Sequence, residues 1–320
     1  MLCSLHMWLS LAIFMYAVWS SAFSLGKLAL QYSPPLFLTG FRMLFAGVVL
    51  LAYLLVRNRG ALKVGGKQWA SLCLLAFFNI YLSNVLEFYG LQYLSATKAC
   101  FLYGLSPFFA TLFSYLHFGE RINLRKAAGL LIGFFGFIPV LKLQGAPEGL
   151  HNAFGFLSWP ALALIGATIS SVYGWVLLRM VVREQTVSPV MASGASMLIG
   201  GLVAMGHSLF VDAWHPLPVS FAHFPAFFEG VCWMVLLSNI LCYNLYGYLL
   251  RRFTATLLSF IGLLSPLFSS LHSWILLGEQ PSWTILLSTG VVSFGLWLVY
   301  KVELQQGYIV KEQSDASLAP

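Results

Sequence analysis

The chain has 320 residues and a net charge of +7, yet only 8% of its residues are charged and 59% are hydrophobic. Soluble domains carry about 25% charged residues, so seventeen Lys and Arg with ten Asp and Glu cannot clothe a soluble enzyme of this size. The same apolar excess excludes disorder, which leaves an all-α polytopic membrane protein with the bilayer as its solvent.

A helix needs about 20 apolar residues to cross the hydrocarbon core, and ten stretches qualify. The first, Trp8–Leu30, holds Trp19 and, near its end, Lys27. Met1 to Met7 contains no Lys or Arg, so the stretch reads as a helix and not a cleaved leader. Leu36–Val56 carries Arg42 about one turn in, close enough to the interface to snorkel. It reads either as an interfacial anchor, the favoured choice, or as a partner for a substrate carboxylate.

Trp69–Leu91 carries Asn84 and Glu87. An ionisable group inside a span is costly and marks a functional site by default. Ile80, Asn84 and Glu87 share a helix face, which would offer a carboxylate and an amide to a cavity and draw an ammonium, a sulfonium or a proton. The alternative is a structural ion pair with Lys98 or Arg42. Ala96–Phe118 contains Lys98, Tyr103 and Pro107 and ends at Gly119-Glu120.

Leu124–Leu143 is followed by Ala153–Leu178 with Tyr173-Gly174-Trp175, then by Val187–Val211. Phe227–Leu250 holds Asn239, Tyr243 and Asn244, while Phe253–Leu277 holds Pro266. Trp283–Tyr300 is the tenth stretch, and Glu303 to Pro320 reads as a polar tail. Pro107 and Pro266 fall near the middles of their stretches, where a missing N–H bends a helix; a flex point for gating and a static kink both fit. Trp19, Tyr103, Trp175 and Tyr243 suit stacking or cation–π contact with a ligand, against plain packing. Asn239 and Asn244 are candidate cavity amides, or interhelical glue.

Orientation follows from the connectors. Thirteen Lys and Arg fall on the side of the N-terminus and only Lys98 and Lys142 on the other, which predicts both termini in the cytoplasm of a multi-pass cytoplasmic (inner) membrane protein. The basic residues are then topology signals and headgroup contacts, so no nucleic acid partner is expected; the bilayer and a small-molecule substrate are. The five cysteines lie singly and the histidines lack ligand spacing, so neither a metal nor a cofactor is proposed.

The chain is duplicated. Ala96 to Glu120 aligns without a gap on Ala255 to Glu279, with eleven of 25 positions identical, including Leu-Ser-Pro and Gly-Glu in each copy. Upstream, Leu82-Ser83-Asn84-Val85-Leu86 echoes Leu237-Ser238-Asn239-Ile240-Leu241. Five stretches per copy force the second copy into the membrane upside down, the plan of many secondary transporters. The expected units are 1–148, 149–302 and a tail 303–320.

These motifs, with Trp19-Ser20-Ser21 and Phe41-Arg42, resemble the EamA domains of the drug/metabolite transporter superfamily. The resemblance implies ten helices and a central cavity lined mainly by helices 1, 3, 4, 6, 8 and 9. The whole is also similar to S-adenosylmethionine transporters of intracellular bacteria. The expectation is a secondary transporter and not an enzyme. The candidate cargo is S-adenosylmethionine exchanged for S-adenosylhomocysteine. An amino-acid or drug exporter, and a non-transporting membrane scaffold or assembly factor, are the alternatives.

Overall fold

A computed structural model describes residues 2–94, 99, 102–143, 158–183, 187–265, 267–269, 271–272 and 283–307, with the side chains of all of these but 2–6, 137–143, 283–286, 288 and 289. In chain order the helices are α1 (Met7–Ala29), α2 (Pro35–Arg57), α3 (Gly66–Tyr93), α4 (Ser106–Phe118), α5 (Leu124–Leu143), α6 (Trp159–Arg183), α7 (Pro189–Val211), α8 (Phe224–Leu249), α9 (Ala255–Ile261) and α10 (Trp283–Gln305). Six of them, α1, α2, α3, α6, α7 and α8, are long and apolar enough to cross a membrane. There is no strand among the described residues. Val56, Leu209 and Phe210 are largely exposed, which water would penalise and acyl chains do not.

The packing follows the duplication. The most extensive contacts lay α2 along α7 and α3 along α6; α5 lies along α10, α4 meets α9, and α8 packs on α1. Adding five to each helix number returns the same set of pairs. At the α2–α7 crossing, a Cβ on Gly47 would lie 2.6 Å from the Leu198 nitrogen and one on Gly201 2.7 Å from the Leu44 nitrogen. Glycine is required there because the two backbones touch. The crossing exposes a further echo, Thr39-Gly40-x-x-Met43-Leu44-x-x-Gly47 with Ser193-Gly194-x-x-Met197-Leu198-x-x-Gly201. It pairs Arg42 with Ser196.

Two expectations about the helices need correction. The first is the register of the α3 and α8 echo. Each helix carries a wide π-type stretch, Ala76–Leu82 and Val235–Cys242, where i→i+5 bonding leaves carbonyls in need of donors. Asn84 Nδ2 donates to the carbonyls of Asn79 and Ile80 at 3.2 and 2.8 Å. Asn244 Nδ2 does the same to Asn239 and Ile240 at 3.5 and 2.7 Å. The repeat therefore matches Asn79 to Asn239 and Asn84 to Asn244, both within Asn-Ile-x-x-x-Asn, and not Asn84 to Asn239.

The second concerns Pro107. The helix is already broken before it by a turn at Gly104-Leu105, and Pro107 stands in the first turn of α4. A missing N–H costs nothing there. The matching break in the second copy is the tight turn Gly262–Leu264 after α9; Pro266 lies outside the described residues. At the other end of α4, Gly119 takes a left-handed φ of 64° and its N–H bonds the Tyr115 carbonyl at 3.0 Å. That glycine stop turns the chain so that Glu120 enters the bundle.

Candidate functional site

Between the two sets of helices lies a polar cavity with about 920 Å³ of open space, its mouth included. Its walls come from α1, α3, α6 and α8, from the turns beside α4 and α9, and from Arg42 of α2.

Six of the eight predicted binding residues line it: Glu87, Asn84, Trp19, Tyr103, Trp175 and Tyr243. Glu87 accepts a hydrogen bond from the Tyr103 hydroxyl at 2.6 Å. Asn84 is held by the π-type stretch through its amide nitrogen, which leaves its oxygen to accept from the Arg42 guanidinium. Trp175, at the base, meets Trp19 edge-on at 5.4 Å and Tyr243 at 5.0 Å. Behind them Tyr246 lies 4.3 Å from Trp175. Trp175, not Tyr173, is the α6 aromatic on the cavity; Tyr173 packs against Phe78 and Phe113.

Asn239 and Asn244 are not on the wall. Asn239 is fully buried, donating to the Met43 sulfur at 3.1 Å, and Asn244 is spent on its own helix backbone. The corrected register explains this, since Asn239 answers to Asn79, which is also buried and bonds the Ser171 carbonyl at 3.1 Å. In the position of Glu87 the second copy has Gly247, so the cavity charge is one-sided.

Arg42 is the main revision. It does not snorkel: it is 3% exposed, with its guanidinium 5.0 Å from the Phe88 ring centre. Lys98, the other suggested partner of Glu87, lies outside the described residues. Lys27 does behave as an interfacial group, donating to the Leu94 carbonyl at 2.8 Å from an exposed position.

The sequence reading missed a set of wall serines, Ser20, Ser83, Ser171, Ser238 and Ser259. Serine is ordinary in membrane helices, so only their convergence marks them. It also misread Lys126 and Arg179 as headgroup contacts. Both are buried: Arg179 pairs with Glu120, and Lys126 lies 2.7 Å from Glu303 and 3.9 Å from Glu120. Thr254 donates to the other Glu303 oxygen. Arg179 is one turn past Trp175 on the same face, so the ion cluster lies beyond the aromatic base and ties α6 and α10 to the α4–α5 junction. Burial of Glu303 also shows that the polar segment starts inside α10.

A helical bundle with apolar flanks and a central cavity lined by charged, hydroxyl and aromatic groups is a multi-pass membrane protein built to hold a solute. The comparisons agree on its kind. The chain belongs to the EamA-like transporter family, whose pattern matches residues 6–141 and again 158–301. It is a transporter and not an enzyme.

Among its relatives is a protein of Chlamydia muridarum named S-adenosylmethionine/S-adenosylhomocysteine transporter. It is 40% identical over 297 residues, or 92% of each chain. A protein of the same name from Chlamydia trachomatis serovar L2 is 39% identical over 92% of this chain and 90% of its own. One solved crystal structure superposes with a TM-score of 0.72, covering 93% of this chain and 98% of that one at 18% identity, which shows a shared fold.

Proposed function

We propose that the protein exchanges S-adenosylmethionine for S-adenosylhomocysteine across the cytoplasmic (inner) membrane by alternating access. The observation that carries this is the 40% identity, over 92% of both chains, to a protein of that name. The cavity chemistry supports it: one carboxylate, Glu87, faces a wall of Trp19, Trp175 and Tyr243. A sulfonium is attracted by a carboxylate, and by ring faces worth roughly 0.5–2 kcal/mol.

In the proposed architecture, ten spans form two inverted five-helix repeats, 1–148 and 149–302. Both termini are cytoplasmic, and the segment 303–320 includes the end of α10. The helix pairs map onto one another when five is added to each helix number, in keeping with such a plan. The substrate contacts are Glu87, Asn84, Trp19, Tyr103, Trp175 and Tyr243, while Asn244 holds the π-type stretch of α8 and Asn239 joins α8 to Met43 of α2. The broken segments before Pro107 and Pro266 are the flexing points as the repeats rock about the cavity.

The test is exchange in proteoliposomes. Vesicles loaded with S-adenosylhomocysteine should take up labelled S-adenosylmethionine faster than empty ones. Glu87→Gln should cut that uptake by at least about tenfold, the cost of losing about 1.4 kcal/mol. Uptake no better than in protein-free liposomes removes the cargo; full activity in Glu87→Gln removes the site.

A further inference from the structure

We infer that Arg42 is the receptor for a carboxylate of the transported molecule, and that Glu87 faces the ammonium beside it, so the two grip an amino-acid end. This rests on the exchange reading above and specifies which part of the cargo each wall group reads.

The observation is a buried cation that no carboxylate of the described residues meets in direct contact, although the Glu87 charge acts on it from farther off. Arg42 is 3% exposed, and among the described residues no carboxylate lies within 4.0 Å of it. Among the described residues, its side-chain hydrogen bond goes to a neutral amide, Asn84, and its buried Nε meets no partner. A guanidinium confined within a membrane protein is held at a cost unless an anion meets it. Elsewhere the same bundle supplies one, since Arg179 is paired with Glu120.

Packing does not explain the residue. The duplicated α2–α7 crossing puts Ser196 where the first copy has Arg42, and Gly47 and its counterpart Gly201 make matching backbone contacts. The guanidinium is therefore surplus to the crossing. Its setting is also prepared: the π-type stretch orients Asn84, Asn84 holds one arm of Arg42, and Phe88 backs its plane at 5.0 Å. What is left faces the cavity, on the wall that carries Glu87. A planar fork suits a carboxylate, and an α-amino acid brings its ammonium within a few ångströms of that carboxylate. Both S-adenosylmethionine and S-adenosylhomocysteine carry this end, so one clamp serves both directions of exchange.

The experiment compares S-adenosylmethionine with its decarboxylated analogue, which differs only in lacking the carboxylate, as inhibitors of labelled uptake in the parent, Arg42→Gln and Arg42→Lys. The parent should prefer the carboxylate form by about tenfold or more. Arg42→Gln should bring that ratio near one by weakening only the carboxylate form, and Arg42→Lys should keep part of it. A parent that binds both equally, or an Arg42→Gln protein weakened equally for both, overturns the inference and leaves Arg42 a structural group. If the parent transports neither, the cargo reading has failed. The inference then stands or falls on thermal shift of the purified protein by methionine against methioninamide. Carboxylate-dependent stabilisation that Arg42→Gln abolishes sustains it; equal shifts overturn it.

Discussion

Glu303→Gln isolates the charge of the ion cluster from its shape. The amide keeps an oxygen for the Thr254 hydroxyl, and the side chain is fully buried either way. What disappears is the anion 2.7 Å from Lys126, while the other carboxylate of the cluster, Glu120, stands farther off at 3.9 Å. At an effective dielectric of about 20 these two contacts are worth about 6 and 4 kcal/mol before desolvation. Glu120 is already committed to Arg179, so Lys126 is left short of charge while still 1% exposed. Removing one partner of a buried pair costs about 3–5 kcal/mol, and that is the expected loss.

Lys126→Met should cost a similar amount by stranding Glu303. The double variant removes both charges and leaves the Arg179–Glu120 pair whole. It should be at least about 2 kcal/mol more stable than the sum of the two single losses, since contacting sites couple by roughly 0.5–3 kcal/mol. The assay is unfolding of the purified protein in detergent, followed by tryptophan fluorescence for all four proteins. Strict additivity, or single variants within about 0.5 kcal/mol of the parent, would refute the view that this cluster is a mutually dependent seal.

Gly47→Ala places a Cβ 2.6 Å from the Leu198 nitrogen; overpacking of this kind costs roughly 1–3 kcal/mol or more. The variant should lower the unfolding temperature in detergent, whereas Gly206→Ala, whose Cβ meets nothing within 4 Å, should not. The proposed exchange also has an electrical signature. S-adenosylmethionine carries one more positive charge than S-adenosylhomocysteine, so its inward exchange should accelerate under an interior-negative potential, which is worth about 2.3 kcal/mol per charge per 100 mV. A potassium diffusion potential imposed with valinomycin tests this. Indifference to potential, with proton release alongside, would mean that a site group changes protonation between the two legs.

The six helices long and apolar enough to cross a membrane were legible because such a helix is defined by local composition, which needs no knowledge of neighbours. Glu87 was legible for the same reason: a carboxylate in an apolar run is anomalous wherever the fold takes it. The α3–α8 register was not, because the letters offer two alignments five residues apart and local composition does not distinguish them. Two echoes of Asn, at 84 with 239 and at 79 with 239, are both readable in the letters. Only the shared hydrogen bonds of Asn84 and Asn244 choose between them. Arg42 was readable as an intramembrane charge but not as buried, since one turn from a span end lies within reach of both lipid headgroups and the cavity.

Local hydrophobicity, a property of short windows, set the opening numbers of this protein: 8% charge, gathered mainly at the ends of apolar runs. Tertiary structure alone decided what that charge does. Glu120 and Glu303 are 183 positions apart and bracket one lysine, while Arg42 and Glu87 come from different helices to one wall. Electrostatic pairing acts through distance in space, and in a chain folded back across a membrane so many times, distance along the sequence says little about it.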